Sequence, residues 1–239
     1  MPAPRRAMST RTELRPAASL YRLLAWLSPS FPIGAFSYSH GLEAAAAAGT
    51  LYDRATLQGW IAAIIEHGSG RIDADIQRDA YRAAQARDLA ALDIVNRRGL
   101  AFRATSELAL EASQQGDAFL NTCLAAWPQV FLQTWAALHQ AACLPAAFGA
   151  AAACAGIALE DALLGYLQAF ASNLISAGLR LGLIGQTDGQ RILAALEPVV
   201  AEAAAAALTR DPADFGSATF GVDLASMAHE TQYSRLFRS

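Results

Sequence analysis

Four histidines and three cysteines are the side chains best suited to bind a metal or act as nucleophiles: His40, His67, His139, His229, Cys123, Cys143 and Cys154. His40 and Glu43 stand three positions apart, so on one helix both would face the same ion. They supply only two ligands, and His229-Glu230 could add more only through a tertiary contact. Catalytic metal sites normally use three protein ligands. A small metal-dependent hydrolase built on His40, Glu43 and His229 is therefore the alternative reading. The plainer one gives His40 a hydrogen bond at a helix end or an interface. Ser37 and Ser39 lie in Gly34-Ala35-Phe36-Ser37-Tyr38-Ser39-His40-Gly41, which is not a nucleophile elbow, and no strand precedes it. Gly185-Gln186-Thr187-Asp188-Gly189-Gln190 shares only its glycines with a phosphate loop. All 18 basic residues are arginine, which removes Schiff-base chemistry and the phosphate-loop ammonium. The cysteines are odd in number, lack C-x-x-C spacing and sit among uncharged alanines. They read as small buried hydrophobes in a reducing cytoplasm.

The elements that must hold these residues are helices. The chain has 56 Ala and 31 Leu against 5 Val and 11 Ile, a mix that favours helix over strand. We expect an all-α fold: residues 1–17 as a flexible N-terminal tail, then one all-helical domain over 18–239. It would be a bundle of about 8–11 helices, several of them short, with 211–239 as a loop-rich C-terminal docking tail. Leu20 to Leu27 forms a short helix that stops at Ser28-Pro29, because the residue before proline is pushed out of helical geometry. The loop that follows carries Phe31, Ile33 and Phe36 where loops are usually polar. A helix opens at Ser37 or Ser39 and closes at Gly49. Asp53 caps the next, in which Leu57, Trp60, Ile61, Ile64 and Ile65 share one side. Arg97-Arg98-Gly99 reads as a link, and Gln115-Gly116-Asp117 as a stop and restart. Ala-rich helices between Phe119 and Gly156 divide at Pro128 and near Pro145. Glu160-Asp161 opens a long helix that is apolar on most sides, and another runs from Thr187 or Asp188 to about Leu208, kinked near Pro198. A last short helix covers Asp223 to Ala228.

With 54% hydrophobic and 16% charged residues among 239, the composition excludes intrinsic disorder. A net charge of −3 argues against general nucleic-acid affinity. Ala118 to Leu159 carries no charged residue and is long enough to cross a bilayer. Its recurring Asn, Gln, Thr and His, and its many alanines, favour core or interface helices over a membrane span. No signal peptide fits the charged and polar Met1 to Pro16.

Two segments stand out from an ordinary core. One runs from Ser28 to Glu43: an apolar loop and then Ser37, Tyr38, Ser39, His40 and Glu43 crowded together. The other is His229-Glu230-Thr231-Gln232-Tyr233-Ser234-Arg235-Leu236-Phe237-Arg238-Ser239. Its Tyr, Leu, Phe and two Arg are a composition enriched where proteins dock, on themselves or on partners. The stretch Leu24-Ala25-Trp26-Leu27-Ser28-Pro29-Ser30-Phe31-Pro32-Ile33-Gly34-Ala35-Phe36-Ser37-Tyr38-Ser39-His40-Gly41-Leu42-Glu43 resembles the signature of the UreF family of urease accessory proteins. So do Gly185 to Gln190 and the ending Ser234-Arg235-Leu236-Phe237. The likeness runs from about Leu20 to Ser239. Ala35 stands where many members carry a second glycine.

The resemblance implies an all-helical, dimeric, cytoplasmic chaperone without catalytic activity. Its partners would be UreD (UreH in some organisms), the nickel-carrying GTPase UreG and the apo-urease subunits. It implies no resident cofactor: nickel is passed transiently, and GTP is bound by the partner. Carried over residue by residue, Tyr38 and Ser39 set interface geometry, and His40 and Glu43 are candidates for polar contact or brief nickel passage. Arg180, Gln186 and Asp188 would face the GTPase. Arg235 and Phe237 would anchor the tail in the UreD-containing complex. No metal site, nucleic acid or membrane belongs to this reading.

Overall fold

Alanine-rich helices can approach one another closely, and this fold is built around such contacts. The computed structural model describes residues 10–138 and 140–239, with side chains from residue 17 onward. Among them eleven α-helices follow in order, and no strand. They are α1 Thr10–Trp26, α2 Leu42–Ala47, α3 Arg54–His67, α4 Ser69–Gln85, α5 Leu89–Ala101 and α6 Ser106–Ala126. Then come α7 Val130–Ala136, α8 Leu144–Ala155, α9 Leu159–Arg180, α10 Gln186–Thr209 and α11 Phe220–Glu230. Single 3-10 turns occupy Ala35–Ser37 and Pro212–Asp214. The expected all-helical architecture is what the chain adopts.

At the centre α8 lies on α4. Ala146, Ala147, Ala150 and Ala151 are buried, and Pro145 stands in the first turn, where its missing N–H costs nothing. A Cβ on Gly149 would come within 2.3 Å of the Gln77 carbonyl oxygen. On Gly116 it would meet the Ala142 carbonyl at 2.0 Å, and on Gly99 the Cys143 Sγ at 2.6 Å. These glycines are points of contact between helices. The expected link at Arg97-Arg98-Gly99 is therefore absent, since α5 continues to Ala101, and the expected stop at Gln115-Gly116-Asp117 lies within an unbroken α6. Pro198 likewise sits inside α10 without ending it. Around this centre Ile61, Ile64 and Ile65 of α3, Leu163 and Leu167 of α9, and Ile192 of α10 are fully buried. Trp26 meets Phe119 and Phe148 edge-on at 5.7 and 6.2 Å, and Phe31 of the proline-rich loop lies 5.4 Å from Phe119.

Several helix ends are closed by side chains, local or distant. Asp53 and Thr56 form a capping box on α3. Glu230 accepts from the Ser106 N–H at 2.9 Å and its hydroxyl at 2.6 Å, closing the start of α6 from the far end of the sequence. Buried Arg78 donates to the carbonyls of Ala207 and Arg210 at 2.6 and 3.2 Å, at the end of α10. Arg210 in turn reaches Asp75 at 2.7 Å.

Two local expectations change. Helix α1 spans Thr10–Trp26, so it begins before the expected Leu20; residues 1–9 and His139 lie outside the described residues. The helix expected from Ser37 or Ser39 begins only at Leu42, because His40 (φ +57°) and Gly41 (φ +79°) are left-handed. His40 and Glu43 are consequently not one turn apart on a helix. The uncharged stretch from Ala118 to Leu159 is divided among α6, α7 and α8. By length and composition alone α9 and α10 could cross a bilayer, and half of the α9 window is buried.

Candidate functional site

Left-handed backbone at His40 and Gly41 turns the chain so that the segment before α2 lies along the tail that follows α11. The Arg238 N–H donates to the Ser37 carbonyl at 2.8 Å, and the Ser39 N–H to the Ser239 carbonyl at 2.9 Å. The Ser39 hydroxyl donates to the same carbonyl. Glu43 fastens the tail from α2: Oε1 accepts the Leu236 N–H at 2.7 Å and Oε2 the Phe237 N–H at 2.9 Å. Hydrogen bonds to an ionised carboxylate are stronger than neutral ones.

Behind this contact His229, fully buried, stands between two carboxylates. Its Nε2 lies 3.2 Å from Glu43 Oε2 and its Nδ1 2.6 Å from Glu107 Oε2. Arg235 donates to the other oxygen of Glu107 at 2.6 Å. One turn along α6, Glu111 accepts from the Ser239 hydroxyl at 2.8 Å. Its Oε2 lies 3.4 Å from His40 Nδ1. Gln114 then accepts from the Tyr38 hydroxyl at 2.5 Å and from Arg238 at 3.2 Å. The face of α6 bearing Glu107, Glu111 and Gln114 is thus a ladder of acceptors for the tail and the loop. Sequence reasoning missed Glu107 and Glu111; the available signal was a pair of carboxylates at i, i+4.

Arg180, in the last turn of α9, joins the same assembly. Its guanidinium lies between two rings, 3.7 Å from the centroid of Phe36 and 4.3 Å from that of Phe237, and donates to the Phe36 carbonyl at 2.6 Å. Burial lowers its pKa from the ordinary arginine value. Phe237 is buried, while Phe36 is 67% exposed.

Beneath the proline-rich loop lies a cavity of about 490 Å³. It is lined by Ser28 to Phe36 of the loop and by residues of α9 between Gln168 and Ser176. Its lining also includes the buried His40, Glu111, Asp73 and Tyr166 and the buried side chain of Arg103, beside Phe119 and Phe170. Arg103 Nη1 lies 2.9 Å from Asp73, which also accepts from the Tyr166 hydroxyl at 2.7 Å. Burial opposes the Arg103 charge, but the Asp73 carboxylate outweighs it and raises the pKa. Burial first, then Asp73, holds the Tyr166 hydroxyl well above its usual range.

The structure gathers Tyr38, Ser39, His40, Glu43, Arg180, Arg235 and Phe237 into one tail-docking assembly. Gln186 and Asp188 stand elsewhere, in the first turn of α10, where Asp188 pairs with Arg191 at 3.0 Å. Arg180 itself contacts Phe36 and Phe237. The hydrolase alternative lacks a focus: His40 engages Ser69 at 2.6 Å and Glu111, whereas Glu43 holds the tail and His229 lies between Glu43 and Glu107. No group of three or more His, Cys, Asp or Glu among the described residues is arranged to hold a metal ion. The cysteines are free; Cys123 and Cys143 are buried, and burial pushes both thiols up to about 11, well away from reactive thiolates.

Fold and site together define a wholly helical protein in which an ionisable cluster fastens one segment of the chain to another. The UreF family model matches residues 51–197. Similar proteins include the urease accessory protein UreF of Granulibacter bethesdensis, 48% identical over 223 residues that cover 93% of this chain and 94% of the relative. The UreF proteins of a Bradyrhizobium species (49% over 222 residues, 93% and 92%) and of Rhodopseudomonas palustris BisB5 (47% over 238 residues, 99% and 98%) match to the same degree. The chain belongs to the UreF family of urease accessory proteins, a family of helpers rather than catalysts.

Proposed function

We propose that this chain serves urease maturation as a cytoplasmic adaptor: it binds UreD (UreH), recruits the GTPase UreG, and supports nickel delivery to apo-urease as a homodimer. Family membership carries this reading. Nucleotide hydrolysis belongs to UreG and nickel is cargo. Of the two residues expected to touch a passing ion, His40 is the better placed, because it lines the cavity and its buried Nδ1, 3.4 Å from Glu111, makes no hydrogen bond, while both oxygens of Glu43 hold the tail. Tyr38, Ser39, Arg235 and Phe237 act by keeping the tail in its docked shape, and Gln186 and Asp188 offer a separate polar surface to a partner. Exposed apolar side chains support the adaptor reading: Leu20, Tyr21 and Leu24 on α1, Phe220, Leu224 and Met227 on α11, then Tyr233 and Leu236.

The decisive experiment is urease activation with this chain omitted. Activity should fail to appear and return when the chain is restored; normal maturation without it would end the proposal. Arg235→Ala should weaken UreD capture in a pull-down while leaving the circular dichroism of the helices unchanged. Undiminished capture would count against the tail assignment.

A further inference from the structure

The cavity of about 490 Å³ beside the proline-rich loop has the size and lining of a small-molecule pocket. Trp26, Phe31, Phe119 and Phe170 contribute rings to its wall, and Pro29 and Pro32 stiffen the backbone of the loop. A wall held in shape before binding lowers the cost of ordering it around a ligand. Asp73 and Arg103 line the same cavity, with side chains 8% and 6% exposed. Most of their polar atoms are engaged. Arg103 Nε donates to the Gly99 carbonyl at 2.8 Å, Nη1 lies 2.9 Å from Asp73 Oδ1, and the Tyr166 hydroxyl donates to Asp73 Oδ2 at 2.7 Å. Two atoms are left over. Arg103 Nη2 is buried and makes no hydrogen bond, and Asp73 Oδ1 accepts none beyond its ion pair. A buried donor without an acceptor costs free energy, so the pair suits a group that accepts from one and donates to the other.

We infer that this cavity binds a small neutral molecule with an aromatic body and a primary amide head, the amide carbonyl accepting from Arg103 and the amide nitrogen donating to Asp73. Charge and hydrogen-bonding capacity select that head. Two carboxylates, Asp73 and Glu111, already share the lining with one guanidinium, so a ligand carboxylate would add like charge. It would also bring no proton for Asp73. An ammonium has protons but no lone pair for Arg103. A primary amide has both, at no net charge. The site goes beyond the adaptor reading and does not rest on it.

Benzamide and relatives of its size test the head group, by ligand-detected NMR on the full-length chain. Benzamide should bind saturably. Acetophenone and benzoate lack the donor and benzylamine lacks the acceptor, so each should bind about tenfold or more weakly. Arg103→Lys keeps a cation for Asp73 but loses the second nitrogen, and should weaken benzamide by about the same factor. Ala112→Phe fills the cavity from α6 and should abolish binding while circular dichroism retains the helical signal; Ala169→Leu on α9 serves if that variant does not fold. An absence of saturable benzamide binding overturns the site. Benzoate or benzylamine binding as tightly as benzamide overturns the amide head, and binding that survives the filled cavity places the ligand elsewhere and overturns the proposal.

Discussion

Glu43 does more than its neighbours in the sequence suggest. Two tail amides and one imidazole converge on its carboxylate, in a place 8% exposed to solvent. Glu43→Ala leaves these donors without an acceptor and Glu107 with a heavier share of His229. We expect a loss of about 3 kcal/mol, measured by chemical denaturation. The effect of Asp53 should instead depend on pH. The Thr56 backbone N–H, with its side chain, lowers the Asp53 pKa, so the folded value lies below the unfolded one. The stabilisation is therefore complete above the ordinary carboxylate range and disappears as pH falls through the lowered value. The stability gap between wild type and Asp53→Ala should shrink in acid, and thermal melts across pH would show it. At this scale the sequence marked Tyr38, Ser39, His40, Glu43, Arg235 and Phe237 as special, but not what they touch. Glu107 meets His229, and Glu111 meets Ser239, across more than a hundred positions, and local spacing carries no trace of such a meeting.

Among the elements, the apolar periodicity of α3 and α9 and the proline-marked start of α8 were legible, since each depends on residues within a turn or two. The misreadings share one cause. Glycine was taken as a breaker at 99 and 116, whereas tertiary contact uses it as a helix residue with no side chain. A paired substitution separates these roles. Gly116→Ala drives a methyl group into the Ala142 carbonyl and should cost about 2–3 kcal/mol. Gly59→Ala in α3, where a Cβ meets nothing within 4 Å, should stabilise by about 0.5–1 kcal/mol. Urea titrations of both variants would decide it, and equal effects would mean the close approach of α6 to the Ala142–Leu144 backbone is not a constraint. The delayed start of α2 is a different case: a histidine in left-handed backbone is uncommon, and no sequence rule would place one at His40.

For the molecule as a whole, composition announced an excess of apolar surface, and the folded chain retains it on α1, α11 and the tail. Sedimentation at micromolar concentration should find homodimers, and monomer alone would contradict that part of the proposal. Addition of UreD should raise solubility by covering exposed side chains. The docking of the tail on Glu43 and α6 also imposes an order of events during synthesis. Glu43, Glu107 and Glu111 leave the ribosome long before Arg235 and the amides of residues 236 and 237. Until residues 235–237 emerge, Glu43 lacks the two amides and Glu107 the guanidinium that hold them, so this corner of the nascent chain stays unclosed while everything between is made.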